Sequence, residues 1–270
     1  MNNLNLPKKS LSLNLREMSE KGCYYCGRPA TSLEHVPPKC IFPEKKDTFG
    51  EDHRKNLITV PSCDEHNLDK SKDDEFLMAC VTATVGNNRT GYIQTKTKLR
   101  RAFDRTNRRL LTATIRDAHT ATWVAPNGAK FPVLIGQTDL PRLIGALEHI
   151  SRGLYYHATG NRFLGTCHII PDWIIFTEDP DLESIKLLSR VMIAQEKNNW
   201  VRYGNNPDVF EFHLGPSDEH GLIPMLMTFL GGTHVYVSFQ PEGVKPPFRT
   251  LDEATSANPI LIEVAFSPRK

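Results

Sequence analysis

Two short pairs of residues have the spacing of a metal site. Cys23-x2-Cys26 and, forty residues on, Cys63-x2-His66 each set two side chains at the separation a tight turn needs to reach one Zn2+. Three thiolates and one imidazole would close a tetrahedral shell and leave no open position. Such an ion is structural, and it stabilises a small unit with little core of its own. Gly27 follows the first pair, where a knuckle usually needs a residue with positive φ. The other readings of Cys23 and Cys26 are a redox pair or plain buried thiols. Against the redox pair, Arg28-Pro29 and a short hairpin-like segment follow, where a thioredoxin-like motif would open a helix.

A second chemistry lies between the two half-sites, in Leu33-Glu34-His35-Val36-Pro37-Pro38-Lys39, and directly after them at Asn67. An imidazole with a pKa of about 6.5 is available as a neutral base at pH 7. Glu34 and Asn67 offer hard oxygen donors suited to Mg2+ or Mn2+. A base to activate water and a cation to offset charge are what phosphodiester hydrolysis requires. Alone, His35 would read as an ordinary hairpin histidine and Asn67 as a helix N-cap. Metal-ligand spacing on both sides of the pair, with Asn67 in register, shifts the weight to a site.

These residues must be positioned by a chain of 270 residues with 33 Lys and Arg against 31 Asp and Glu, a net charge of +2. That balance is too mild to identify a polyanionic partner, so any such partner must show in how the charge is distributed. No apolar run approaches the roughly 18 residues of a membrane span, and the N-terminus has no signal-peptide pattern, so a cytoplasmic protein with no membrane association is expected. Cys40, Cys80 and Cys167 stand apart from the metal pattern and read as buried free thiols.

The order of elements predicts an α+β fold. Residues 1–20 read as an N-terminal arm and 21–85 as the metal-bearing domain, followed by an α+β domain over 86–270. Ile93 to Leu111 predicts one basic amphipathic helix. From Arg89 to Arg109 eight cations face the single acid Asp104, a charge that suits a phosphate backbone or simply a solvated face. A hairpin is expected around Pro126-Asn127-Gly128, and Asp139 and Pro141 open a helix that runs to His157 and ends before Gly160. A strand-like run covers Thr166 to Phe176, and a helix covers Asp181 to Glu196. Strands follow near Val209 to Leu214, Ile223 to Leu230 and Thr233 to Gln240. His149 and His157 are eight apart with no carboxylate at ligand spacing, and with His168 they read as structural.

The string EHVPPK…NLITVPSC…HN…SKDDE resembles a bacterial subgroup of the HNH endonucleases, in the ββα-metal nuclease class, over about residues 21 to 80. The resemblance implies a small zinc-stabilised ββα-metal domain followed by the larger α+β domain. It also implies metal-dependent hydrolysis of DNA, leaving 5′-phosphate and 3′-hydroxyl ends, in the setting of bacterial genome defence. His35 would be the general base, with Glu34 and Asn67 holding one Mg2+ or Mn2+ ion, and Lys39 and Lys70 would contact phosphate. His66 stands where cysteine is commoner. The family's last histidine has no counterpart after Asn67, and Asp74, ahead of Glu75, is expected to supply the third ligand. A homodimer is attractive because one such centre cuts one strand. The competing expectation is a non-catalytic zinc-finger module that binds nucleic acid.

Overall fold

The computed structural model describes residues 22–67, 71–125, 127–175, 180–245 and 261–264; the expected arm over 1–20 and Lys70 lie outside them. Helices and strands are mixed, as the α+β reading predicts. The first unit is a hairpin and two helices. Strand β1 (Ser32–His35) pairs antiparallel with β2 (Thr59–Ser62), placing Glu34 opposite Val60 and His35 opposite Thr59. Helices α1 (Asp64–Asn67) and α2 (Ser71–Thr82) come next. The loop between the strands carries a 3-10 turn, Lys39–Ile41, fastened to α2 where Cys40 Sγ donates to the Asp74 carbonyl at 3.2 Å.

The basic stretch differs from the single helix expected over Ile93 to Leu111. Helix α3 (Arg89–Gln94) passes through a π-helical turn, Thr95–Leu99, into α4 (Arg100–Arg105), and α5 (Arg109–Thr114) then restarts in a new direction. The break falls where Asn107 and Arg108 take φ of 47° and 63°, a left-handed pair that no α-helix accommodates. Three of the eight expected cations are also used inside the fold. Arg101 forms a two-pronged pair with Asp47 at 2.8 and 2.6 Å, and Arg105 pairs with Glu75. Lys98 is directed at the Cys40 and Phe42 carbonyls, and burial brings its ammonium down to about 8. These cations pin the long hairpin loop and α2, while Arg89, Arg100, Arg108 and Arg109 remain exposed.

Beyond α5, β3 (Arg116–Val124) and β4 (Lys130–Gln137) form the expected hairpin. Helix α6 (Leu140–Thr159) is next. Asp139 caps it by accepting from the Arg142 amide at 3.2 Å, Pro141 sits in the first turn, and Gly160 closes it at φ 74°. Leu143, Leu147, Ile150 and Leu154 form its buried stripe at helical spacing. A five-stranded antiparallel sheet runs in the order β5 (Gly165–Pro171), β10 (Thr233–Pro241), β9 (Ile223–Phe229), β8 (Phe210–Leu214), β7 (Val201–Asn206). Its inner face is a ladder of apolar pairs, Val235 opposite Met227 and Val237 opposite Met225. A four-stranded sheet joins β3 and β4 to β11 (Leu261–Val264) and β6 (Ile174–Ile175); α7 (Pro180–Glu196) lies between β6 and β7 in sequence. Strands β7 and β11 have no counterpart among the elements read from sequence. Among the described residues no helix is long and apolar enough to cross a membrane.

Helix α2 is the centre of the packing. Phe76 through Val81 are each at most 1% exposed, so the second half of this helix is buried on every side rather than along one stripe. It is surrounded by the Lys39–Ile41 turn, the π-helical turn, α5 and α6, and the buried cluster runs from Cys23 to Phe239 across residue 85. Helix α6 meets the first unit at Gly153, where a Cβ would lie 2.8 Å from Val36 Cγ1, just after β1. Glycine inside a helix costs about 1 kcal/mol relative to alanine, and the close approach is what it permits. Gly153→Ala is therefore expected to destabilise the fold by about 1–3 kcal/mol in denaturant unfolding, despite its better helix propensity. An unchanged midpoint would show that the contact yields.

Candidate metal centre and adjoining cleft

The backbone builds the first knuckle. The Gly27 amide donates to the Cys23 carbonyl at 2.9 Å and the Cys23 amide to the Arg28 carbonyl at 2.7 Å, with Gly27 at φ 79°. The Tyr24 amide donates to the Pro61 carbonyl at 2.9 Å and lays the knuckle against β2. In the second half-site Cys63 follows β2 and His66 lies within α1; the amides of His66 and Asn67 both donate to the Cys63 carbonyl at 3.1 Å. These two turns bring the four donor atoms of Cys23, Cys26, Cys63 and His66 within 4.8 Å of one another.

The spacing suits a tetrahedral ion. Cys26 and Cys63 sulfurs are 3.7 Å apart. Zn–S bonds of about 2.3 Å imply tetrahedral S···S edges of roughly 3.8 Å, whereas a disulfide needs about 2.05 Å. No cysteine is in a disulfide. The Cys63 sulfur also lies 3.1 Å from His66 Nδ1, which identifies the ring nitrogen facing the cluster. Burial raises the Cys26 thiol, but the hydrogen bond donated by Arg28 Nε at 3.4 Å prevails and brings it down to about 7. Tyr25 stacks on the ligand's ring at 4.6 Å and on His149 of α6 at 4.3 Å between centroids. The cluster could hold a structural zinc.

The knuckle reaches the Glu-His pair directly. Tyr24, between the two cysteines, donates its hydroxyl to Glu34 Oε1 at 3.3 Å, and Glu34 is only 9% exposed. Side chains alternate along a strand, so Ser32 and Glu34 share one face of β1 and His35 takes the other. Asn67 lies on Glu34's face: its Nδ2 donates to Ser32 Oγ at 2.7 Å. His35 is half-exposed. Burial and the charge of Lys39 lower its pKa against the opposing pull of Glu34, so the imidazole is neutral at pH 7. Lys39 itself is exposed.

Glu34 faces a cleft of about 200 Å³ between β1, the start of α2 and the first turns of α6. Asp73, Asp74, Leu77, Arg142 and His149 line it with Glu34, and His35 does not. Asp74 thus shares the cleft with Glu34, whereas Glu75 is engaged by Arg105. Among the described residues the Cys3His set is the one group of three or more such donors gathered so closely. The three carboxylates form an open acidic wall rather than a closed cage. Mg2+ commonly takes one or two carboxylates and completes its shell with water and phosphate, which an open wall allows.

Sequence reasoning missed Tyr24, Arg142 and the place of His149. Tyr24 carried a signal, its position inside the knuckle; Arg142 and His149 reach the cleft only through tertiary packing of α6. His157 and His168 lie elsewhere, His157 edge-on to Tyr203 and His168 bonded to Gln240 at 2.5 Å. Cys63→Ala is expected to release zinc and lower the melting temperature sharply, since the binding energy of a structural ion, about 10–16 kcal/mol in finger peptides, is folding energy. Metal analysis and a thermal melt check this, and full zinc retention in the variant would sink the ligand set. Comparison with family models, with curated proteins and with solved structures found no match, so the chemistry is read from this chain's own residues.

Proposed function

We propose that the chain is a metal-dependent endonuclease of the HNH type that hydrolyses DNA phosphodiester bonds. One observation carries this reading. Glu34 of β1 and Asp74 of α2 line one cleft, and Asn67, next to the cluster's His66, lies on Glu34's face of β1. Carboxylates on one face of β1 and a neutral imidazole on the other are the groups that activating water against phosphorus requires.

In this reading the phosphate lies at the mouth of the cleft beside the end of β1, with Glu34 on the cleft side and His35 on the strand's other face. His35 takes a proton from the attacking water, whose oxygen bonds to phosphorus in line with the 3′ oxygen that leaves. A Mg2+ or Mn2+ ion held by Glu34 and Asn67, with Asp74 as third donor, would offset charge on the phosphate and the leaving oxygen. Tyr24 holds the Glu34 carboxylate in place through its hydroxyl. Lys39, close enough for its charge to lower His35, contacts the neighbouring phosphate. Two protomers, each cutting one strand, would make a double-strand break.

The second reading is a zinc-stabilised module that binds nucleic acid without cutting it, and the observation in its favour is that His35 is outside the cleft lining. Supercoiled plasmid incubated with Mg2+, Mn2+ or EDTA separates the two. Metal-dependent nicking or linearisation is expected, reduced at least about 10²-fold in His35→Ala, the scale of one general base. Zinc content and melting temperature should stay unchanged in that variant. A wild-type protein that holds its zinc and cuts nothing would favour the binding module.

A further inference from the structure

We infer that Arg142, in the first turn of α6, grips the phosphate at the bond being cut, so that a helix outside the ββα unit completes the active cleft. This rests on the nuclease reading above.

The cleft has a charge problem that Arg142 answers. Glu34, Asp73 and Asp74 line it, and among the described residues that line it Arg142 is the one cation. A phosphodiester entering this pocket meets three carboxylates. A divalent ion on the Glu34 side offsets part of that field; Arg142 supplies the positive charge on the opposite wall. The space, about 200 Å³, is large enough for a phosphate with metal-bound water.

The side chain is also oriented in advance. Its Nε donates to Asp73 Oδ1 at 2.7 Å, and its guanidinium carbon sits 4.4 Å from the centre of the Phe76 ring. A guanidinium carries five N–H donors in one plane, a fork that matches phosphate oxygens. The Asp73 bond and the Phe76 ring fix that plane at the cleft wall. Stability alone is a poor account of the pair, because its side chains are 29% and 46% exposed and such pairs contribute about 0–1 kcal/mol.

Gly145, one turn along α6, offers an independent probe. It lines the cleft, and a Cβ there would meet nothing within 4 Å. Gly145→Leu should therefore fill the cleft while keeping the fold, with a gain in helix propensity.

The test compares wild type, Arg142→Gln, Arg142→Lys and Gly145→Leu in plasmid cleavage, and in binding of a short DNA duplex with Ca2+ replacing Mg2+. Removing one donor to a developing anion typically costs about 10²–10³ in rate. Arg142→Gln should fall by about 10²-fold with zinc and melting unchanged. Arg142→Lys, which keeps charge but loses the fork, should recover only part. The slope of log affinity against log salt should drop by about one for Arg142→Gln, the loss of one phosphate contact. Should that variant fail to fold, Arg142→Lys decides: a folded protein with only part of the activity supports the inference and a fully active one overturns it, as would a folded, fully active Gly145→Leu. Cleavage by Arg142→Gln within about threefold of wild type, while His35→Ala is dead, overturns the inference and leaves the nuclease reading standing. A wild type that binds the duplex without cutting, and whose salt slope falls in Arg142→Gln, keeps the phosphate contact and removes the nuclease. Neither cutting nor binding by wild type would remove both.

Discussion

The Cys3His cluster is the constraint on which the site depends. It ties Cys23 and Cys26 to Cys63 and His66 across forty residues of chain, a closure whose entropic cost is on the order of 3 kcal/mol. The residues next to the ligands then act on the site. Tyr24, beside Cys23, bonds to Glu34, while Asn67, beside His66, bonds to Ser32 on the same strand face. Each is one peptide from a ligand and therefore inherits that ligand's position. This explains why a metal knuckle stands just ahead of an ionisable pair: the turn that presents the cysteines also presents the side chain that holds the glutamate.

The cluster positions only one side of the cleft. The other side is α6, held against the hairpin unit by the Gly153–Val36 approach and by the stack of Tyr25 on His149. Between them α2 presents Asp73 and Asp74 while burying Phe76 to Val81. Arg142 therefore meets Asp73 directly and faces Glu34 across the cleft, in a spacing set by packed apolar side chains, which change it far less readily than a loop would. The long loop between β1 and β2 is held separately, by Lys98, Arg101 and the Arg54 guanidinium, whose Nε and Nη2 each donate to the Phe42 carbonyl at 3.1 Å.

Local signals were legible where local chemistry decided the outcome. Asp139, Pro141 and Gly160 bracket α6 because a cap, a fixed φ and a left-handed terminus are properties of single residues. The four metal donors were legible because their spacing reflects turns of a few residues. The basic helix misled because a count of charges carries no record of partners: Arg101 faces Asp47 across 54 residues and Arg105 faces Glu75 across 30. Its break at Asn107 and Arg108 arises from backbone conformation rather than from loss of the apolar pattern, which Leu110 continues into α5. The cleft's far wall was illegible for a related reason, since Arg142 and Asp73 are 69 residues apart and nothing in either neighbourhood advertises the other.

A helix whose last six core residues have no outward face has a consequence for how this chain can be divided. A unit that closes its own core can be carried from one host protein to another. Here α2 serves both as the scaffold of the acidic wall and as a centre of the core shared with α5 and α6. Cutting the chain after Thr82 would strip Phe76, Leu77 and Met78 of the neighbours that cover them and leave a greasy, self-associating fragment. The hairpin unit and the chain beyond Thr82 thus share one core, and neither closes it without the other.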